Sequence, residues 1–156
     1  MSRFFLANRQ KTRSIDLPYL RKLARYLAET LLGQTGYRLA LHLVGADEMT
    51  RLNENFLHHA GCTDVITFNY TTPAPTGLEG EIFVCVDEAI LQSRRFRRPW
   101  TEETIRYFAH GLLHLLGHDD RTPAQRLAMR RRENTLLRGL AKPFPHALIE
   151  KQAVSL

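Results

Sequence analysis

Residues 101–120 read TEETIRYFAHGLLHLLGHDD. Thr101 followed by Glu102 and Glu103 has the chemistry of a helix start: a capping hydroxyl, then carboxylates that suit the positive end of the helix dipole. A helix turns about 100° per residue, so with Ile105 at zero, Ala109, Leu112 and Leu116 fall within about 40° of it and form a core stripe. His110 and His114 fall near ~140° and ~180° on the same count, stacked one turn apart and off the stripe. Gly117 lets the chain leave the helix with a positive φ, and Asp120 follows three residues later. The pattern HxxxHxxGxxD thus supplies two nitrogens, a bend and an oxygen, and suits one divalent ion with a position left open for water.

The rest of the chain falls into elements around this helix. Leu17–Leu32 carries apolar residues at helical spacing and ends at Gly33. Arg38–Val44 (RLALHLV), Val65–Tyr70 (VITFNY) and Glu81–Val86 (EIFVCV) have the composition of strands. Asp47 is the expected N-cap of a short helix over Glu48–Phe56, and Asp87–Arg97 is expected to be helical. Thr71–Gly80, with two prolines and two glycines, reads as an exposed loop. A basic helix is expected from about Pro123 to Arg138. The expected fold class is α+β: a small mixed sheet of about four strands packed with helices, the metal site on a central helix and the turn after it. The 156 residues suit a single domain, 1–156, with residues 143–156 as a loose tail.

A hydrophobic fraction of 44% excludes a disordered chain. No apolar run approaches the ~20 residues that span a bilayer, so no membrane contact is expected. The FFLA patch (Phe4–Ala7) is far shorter than a signal-peptide core, which predicts a cytoplasmic protein. Cys62 and Cys85 form no CxxC pattern and are expected to be reduced, mostly buried thiols. The net charge of +6 comes largely from arginine, concentrated in residues 1–25, in Arg94-Arg95-Phe96-Arg97-Arg98 and in residues 121–142. Guanidinium groups match phosphate geometry, so Arg94, Arg95, Arg97 and Arg98 are candidate nucleic-acid contacts.

Two histidines leave a coordination shell incomplete. Asp120 is the preferred third ligand, His118 competes with it, and Asp119 is a candidate for holding a ligating imidazole. His42 is expected to be structural and His146 exposed. Zinc peptidases with the HExxH arrangement carry a glutamate after the first histidine as the base; here that position is Gly111, which takes no proton.

HGLLHLLGHDD resembles the HGxLHLxGxDH signature of the YbeY family of bacterial metal-dependent endoribonucleases. Leu52–Tyr70 (LNENFLHHAGCTDVITFNY) resembles that family's LNxxYRxxxxPTDVLSFxF segment, and Gly80–Ala89 (GEIFVCVDEA) its GDIxIxxxxA strand and helix start. The resemblance implies cleavage of single-stranded RNA in 16S ribosomal RNA 3′-end maturation and ribosome biogenesis. It also implies one Zn²⁺ per chain on His110, His114 and Asp120, with ribosomal RNA and the small ribosomal subunit as partners. The alternatives are a zinc peptidase of metzincin type and a non-catalytic ribosome assembly factor with a structural metal. Two positions depart from the family pattern: Asp120 stands where its third histidine falls, and Leu57 where an arginine falls, with His59 a candidate replacement for that arginine. The general acid and base are not identified by either the residues or the resemblance.

Overall fold

The computed structural model describes residues 1–72 and 77–152. Among these, β1 (Arg3–Asn8), β2 (Arg38–Val44), β3 (Val65–Asn69) and β4 (Glu79–Cys85) form one sheet in the order β1-β2-β4-β3. β1, β2 and β4 run parallel, and β3 closes the edge antiparallel to β4, with Val65 opposite Val84 and Phe68 opposite Glu81. The helices are α1 (Leu17–Tyr26), α2 (Ala46–Phe56), α3 (Val86–Phe96), α4 (Trp100–Leu115) and α5 (Pro123–Ala141). None is long and apolar enough to cross a membrane.

Alternation along the strands assigns the two faces of the sheet. Leu41, Ile82 and Val84 point into the main core with Leu20 and Leu23 of α1, Phe108 and Leu112 of α4, and Met129 and Leu136 of α5. The intervening Val44, Phe83 and Cys85 join Ile66 and Met49 of α2 in a smaller cluster. The mixed α+β architecture expected from the patterning is therefore present, with α4 lying on β4 in the middle of the main core.

Several boundaries differ from expectation. FFLA belongs to β1: its residues pair with Leu39–His42 of β2, a contact between segments more than 30 residues apart that local pattern does not announce. The helix expected over 17–32 is α1 followed by a π turn at Leu27–Leu31, before Gly33 at φ +65°. Asp47 is not the cap of α2; Gly45 is, and its missing side-chain acceptor comes from across the fold, where Ala46 N donates to Asp87 Oδ2 at 2.7 Å. Residues 143–152 are not loose. Ile149 is fully buried, Asp16 N donates to Ile149 O, Lys151 N donates to Ser14 O, and the half-buried His146 meets Thr101 Oγ1 at 2.8 Å. Of the loop expected over Thr71–Gly80, Glu79 and Gly80 belong to β4, and residues 73–76 lie outside the described part.

The approach of α4 to β4 depends on Gly111. A Cβ there would stand 2.7 Å from Ile82 Cγ2, in a position with no exposed surface into which Ile82 could move. Gly111→Ala gains about 1 kcal/mol of helix propensity and loses about 1–3 kcal/mol to overpacking. A net fall in stability is expected from the denaturant midpoint; a rise would show that Ile82 yields freely.

Candidate metal centre

Helix α4 ends in a double hydrogen-bonded turn: Gly117 N donates to His114 O and His118 N to Leu113 O, both at 3.0 Å, with Gly117 at φ +94°. This reversal brings Asp120 back over the two histidines. His110 Nε2 and His114 Nε2 are 2.9 Å apart, and Asp120 Oδ2 lies 3.3 Å from each. One ligand atom from each residue lies within 4.8 Å of the others, a group that could hold a metal ion. Two imidazole nitrogens and a carboxylate oxygen are a donor set suited to zinc and its neighbours. His118 and the exposed Asp119 lie outside this group. Burial and the nearby Arg132 and His114 push the His118 pKa down.

The second residue that shapes the site is Glu133, from α5. Thr122 caps that helix in a reciprocal box with Gln125 and Pro123 opens it, while Met129, Glu133, Leu136 and Leu140 form its inner face. The Glu133 side chain is 6% exposed, accepts from His110 Nδ1 at 2.7 Å, and accepts from Arg106 Nη1 at 3.1 Å. An ionised carboxylate only accepts, so His110 carries its proton on Nδ1 and turns Nε2 toward His114 and Asp120. Burial opposes the charged imidazole of His110, but the hydrogen bond and charge of Glu133, with Asp120 and Asp64, outweigh it, and the His110 pKa is raised. Burial likewise disfavours the Glu133 carboxylate; His110 and Arg106 reverse that and hold its pKa down. Glu133 was missed in the sequence. Its available signal was that it is the sole acid in the otherwise basic stretch 121–142.

Two cavities meet at the cluster and share Asp64, His110 and Asp120. One, of about 430 Å³, runs along β3 and is lined also by Leu57, Thr63, Thr67 and His114. The other, of about 290 Å³, lies toward α5 and is lined also by Tyr107, Arg126, Arg130 and Glu133. Arg126 Nη1 holds the turn by donating to Asp120 O at 3.4 Å and Arg121 O at 3.1 Å. Leu57, at the position of the expected arginine, therefore does face the cleft. His59 is exposed and is not among the lining residues. Arg94, Arg95, Arg97 and Arg98 are exposed around the end of α3, Arg97 in the left-handed region at φ +53°. Burial, Arg106 and Arg98 all lower the Arg130 pKa. His42 is structural: it stacks on Phe83 at 4.3 Å and meets Glu81 at 3.1 Å.

Removing the orientation of His110 should weaken metal binding. Glu133→Gln is expected to raise the Zn²⁺ dissociation constant about 10-fold and Glu133→Ala toward 100-fold, read by competition with a chromophoric chelator. Because a proton competes for an imidazole whose pKa is raised, affinity should begin to fall at a higher pH than an ordinary histidine would dictate. Wild-type affinity in both variants would reduce Glu133 to a packing residue.

Comparisons with known proteins identify the family. A family profile described as endoribonuclease YbeY matches residues 5–141. An endoribonuclease YbeY from Salinibacter ruber is 35% identical over 133 residues, 81% of this chain and 84% of that one. One from Chlorobaculum parvum is 40% identical over 93 residues, 60% of this chain and 64% of that one. One from Clavibacter sepedonicus is 31% identical over 142 residues, 86% of this chain and 93% of that one. The solution structure of TM1509 from Thermotoga maritima shares the fold, with a TM-score of 0.67 over 96% of this chain and 97% of that one, at 23% identity. With the profile match running from within β1 through β2, β3 and β4 to beyond the His110–His114–Asp120 cluster, the chain belongs to the endoribonuclease YbeY family.

Proposed function

We propose that this protein is a metal-dependent endoribonuclease that cuts single-stranded RNA in the cytoplasm, acting in 16S ribosomal RNA 3′-end maturation on the small ribosomal subunit. The observation that carries this reading is the convergence of His110, His114 and Asp120 at the junction of two open cavities, in a chain of this family. One Zn²⁺ per chain is the ion this donor set suits. The three protein donors found among the described residues leave a position for water or substrate, whereas a structural zinc site closes with four. A bound divalent ion would polarise a phosphoryl oxygen or acidify a water. The protein's own part is to hold the three donors, to orient His110 through Glu133, and to place the Asp64 carboxylate, which borders both cavities, where it can take a proton. Gly111 supports nuclease over peptidase: its position is sealed against Ile82, so no side chain there can reach the cleft as a base.

Without the arginine expected at position 57, the phosphate grip falls to the other wall. Arg126 and Arg130 line the cavity beside His110 and Asp120, and in its wall Arg106 Nε and Tyr107 Oη have no hydrogen-bond partner among the described residues. The exposed Arg94, Arg95, Arg97 and Arg98 extend this basic surface and hold the backbone of the RNA without reading its sequence.

Purified protein should contain one zinc per chain and cut single-stranded RNA in a chelator-sensitive way while leaving casein intact. His110→Ala and His114→Ala should lose both metal and cleavage, and Asp120→His should keep metal and part of the activity. Proteolysis without RNA cleavage, or full metal occupancy in the double histidine variant, would overturn the assignment.

Charge reversal at Arg130 should weaken RNA binding and reduce the slope of log affinity against log salt by about 1, since one phosphate contact is lost. Reversing Arg94 and Arg95 should act in the same direction with little change in melting temperature, as exposed charges contribute little to stability. An unchanged salt slope in all three would move the RNA path elsewhere.

A further inference from the structure

The metal centre makes no use of either cysteine, yet the two lie together. Cys62 is exposed in the connection between α2 and β3, not buried as expected, and Cys85 ends β4 fully buried. Their Sγ atoms are 3.8 Å apart. We propose that Cys62 and Cys85 form an oxidative modification site, in which a hydroperoxide oxidises Cys62 and Cys85 then closes a disulfide that fastens the wall of the cleft to β4.

The order follows from access. Cys62 is the sulfur that a peroxide can reach. Its thiolate attacks the terminal peroxide oxygen; the O–O bond breaks, an S–O bond forms, and alkoxide leaves (hydroxide when the oxidant is hydrogen peroxide), giving a sulfenic acid. Cys85 is the resolving partner. Its sulfur displaces hydroxide from the Cys62 sulfur to form the S–S bond, and its thiol proton leaves with that hydroxide as water. Burial pushes the Cys85 thiol up to about 12, with the neighbouring Cys62 adding to the shift, so Cys85 is a poor first target.

The geometry requires little movement. A disulfide spans about 2.05 Å, so the two sulfurs must approach by less than about 2 Å. The connection can supply this: Gly61 sits at φ +85° with open space around it, and His58 is already in the left-handed region at φ +56°. The chain is tied to its surroundings by Asn53 Nδ2 donating to Gly61 O at 2.9 Å and by Cys85 N donating to Asp64 O at 2.9 Å. Leu57, Thr63 and Asp64, within or beside the segment that must shift, line the cleft. Closing the disulfide therefore repositions the wall facing His110 and Asp120. The consequence for RNA cleavage rests on the proposed function; the modification does not.

The test treats the full-length protein with hydrogen peroxide, then counts free thiols after unfolding and maps peptides. Both thiols are expected to disappear into a Cys62–Cys85 linked peptide, with the mass of a monomer less two hydrogens, and to return with dithiothreitol. Cys62→Ser should keep an unmodified Cys85 under the same treatment, which avoids substituting the buried position. A Cys62 sulfinic acid beside a still-alkylatable Cys85, or a disulfide joining two chains, would overturn the proposal. In the second arm, oxidised wild-type protein should cut single-stranded RNA at least a few-fold more slowly, reversibly, while Cys62→Ser is indifferent to peroxide. An unchanged rate in fully disulfide-bonded protein would overturn the link to the cleft. Reduced protein that cuts no RNA at all would instead count against the nuclease reading, because the thiol and mass readouts do not involve RNA.

Discussion

Helix α4 sits on β4 at two glycines, and the geometry of the site follows from that contact. Gly111 on the helix faces Ile82, and Gly80 on the strand faces Leu115, each with room for a hydrogen atom and no more. The close seating buries Ile105, Phe108, Leu112 and Leu113 almost completely. It also fixes the rotation of the helix about its own axis. His110 and His114, off the buried stripe, are thereby held at the margin of the core, with side chains 22% and 28% exposed. That margin is where a ligand needs to be: rigid enough to keep its rotamer, open enough for an ion and a substrate to enter.

The electrostatics of the site are arranged from inside outward. Arg106 and Glu133 are both 6% exposed and pair at 3.1 Å, with Glu103 a further 3.8 Å from Arg106. Burying such charges is costly unless each finds partners, and Glu133 finds its second in His110. A buried ion pair of this kind adds little net stability. Its consequence is directional: the carboxylate fixes which nitrogen of His110 faces the cluster. Removing Arg106 would leave Glu133 with His110 as its main compensation, so a buried residue in the wall of the second cavity influences His110 through Glu133.

Of the two departures from the family pattern, Leu57 falls on the β3 side of the cleft and Asp120 borders both cavities. Leu57 makes the β3 wall less polar, while Arg126 and Arg130 make the α5 wall cationic. The connection that carries Leu57 also carries Cys62, next to the buried Cys85. The wall that carries Leu57 in place of the expected arginine is thus also the wall that the proposed disulfide would fasten.

What the sequence determined by itself was local and periodic. The core stripe of α4, the pairing of His110 with His114 and the turn at Gly117 depend on spacing within a few residues, which backbone geometry converts directly into placement. Arg38–Val44 was legible for the same reason, through alternation. Glu133, Arg126 and Asp64 could be placed at the site only by the tertiary structure, because they reach it from α5 and from the start of β3. β1 became a strand only by pairing with β2, the cap of α2 comes from Asp87, and residues 143–152 are ordered by contacts with Asp16, Ser14 and Thr101. Each of these joins segments at least 30 residues apart in the chain, and no window of local pattern contains both halves of such an interaction.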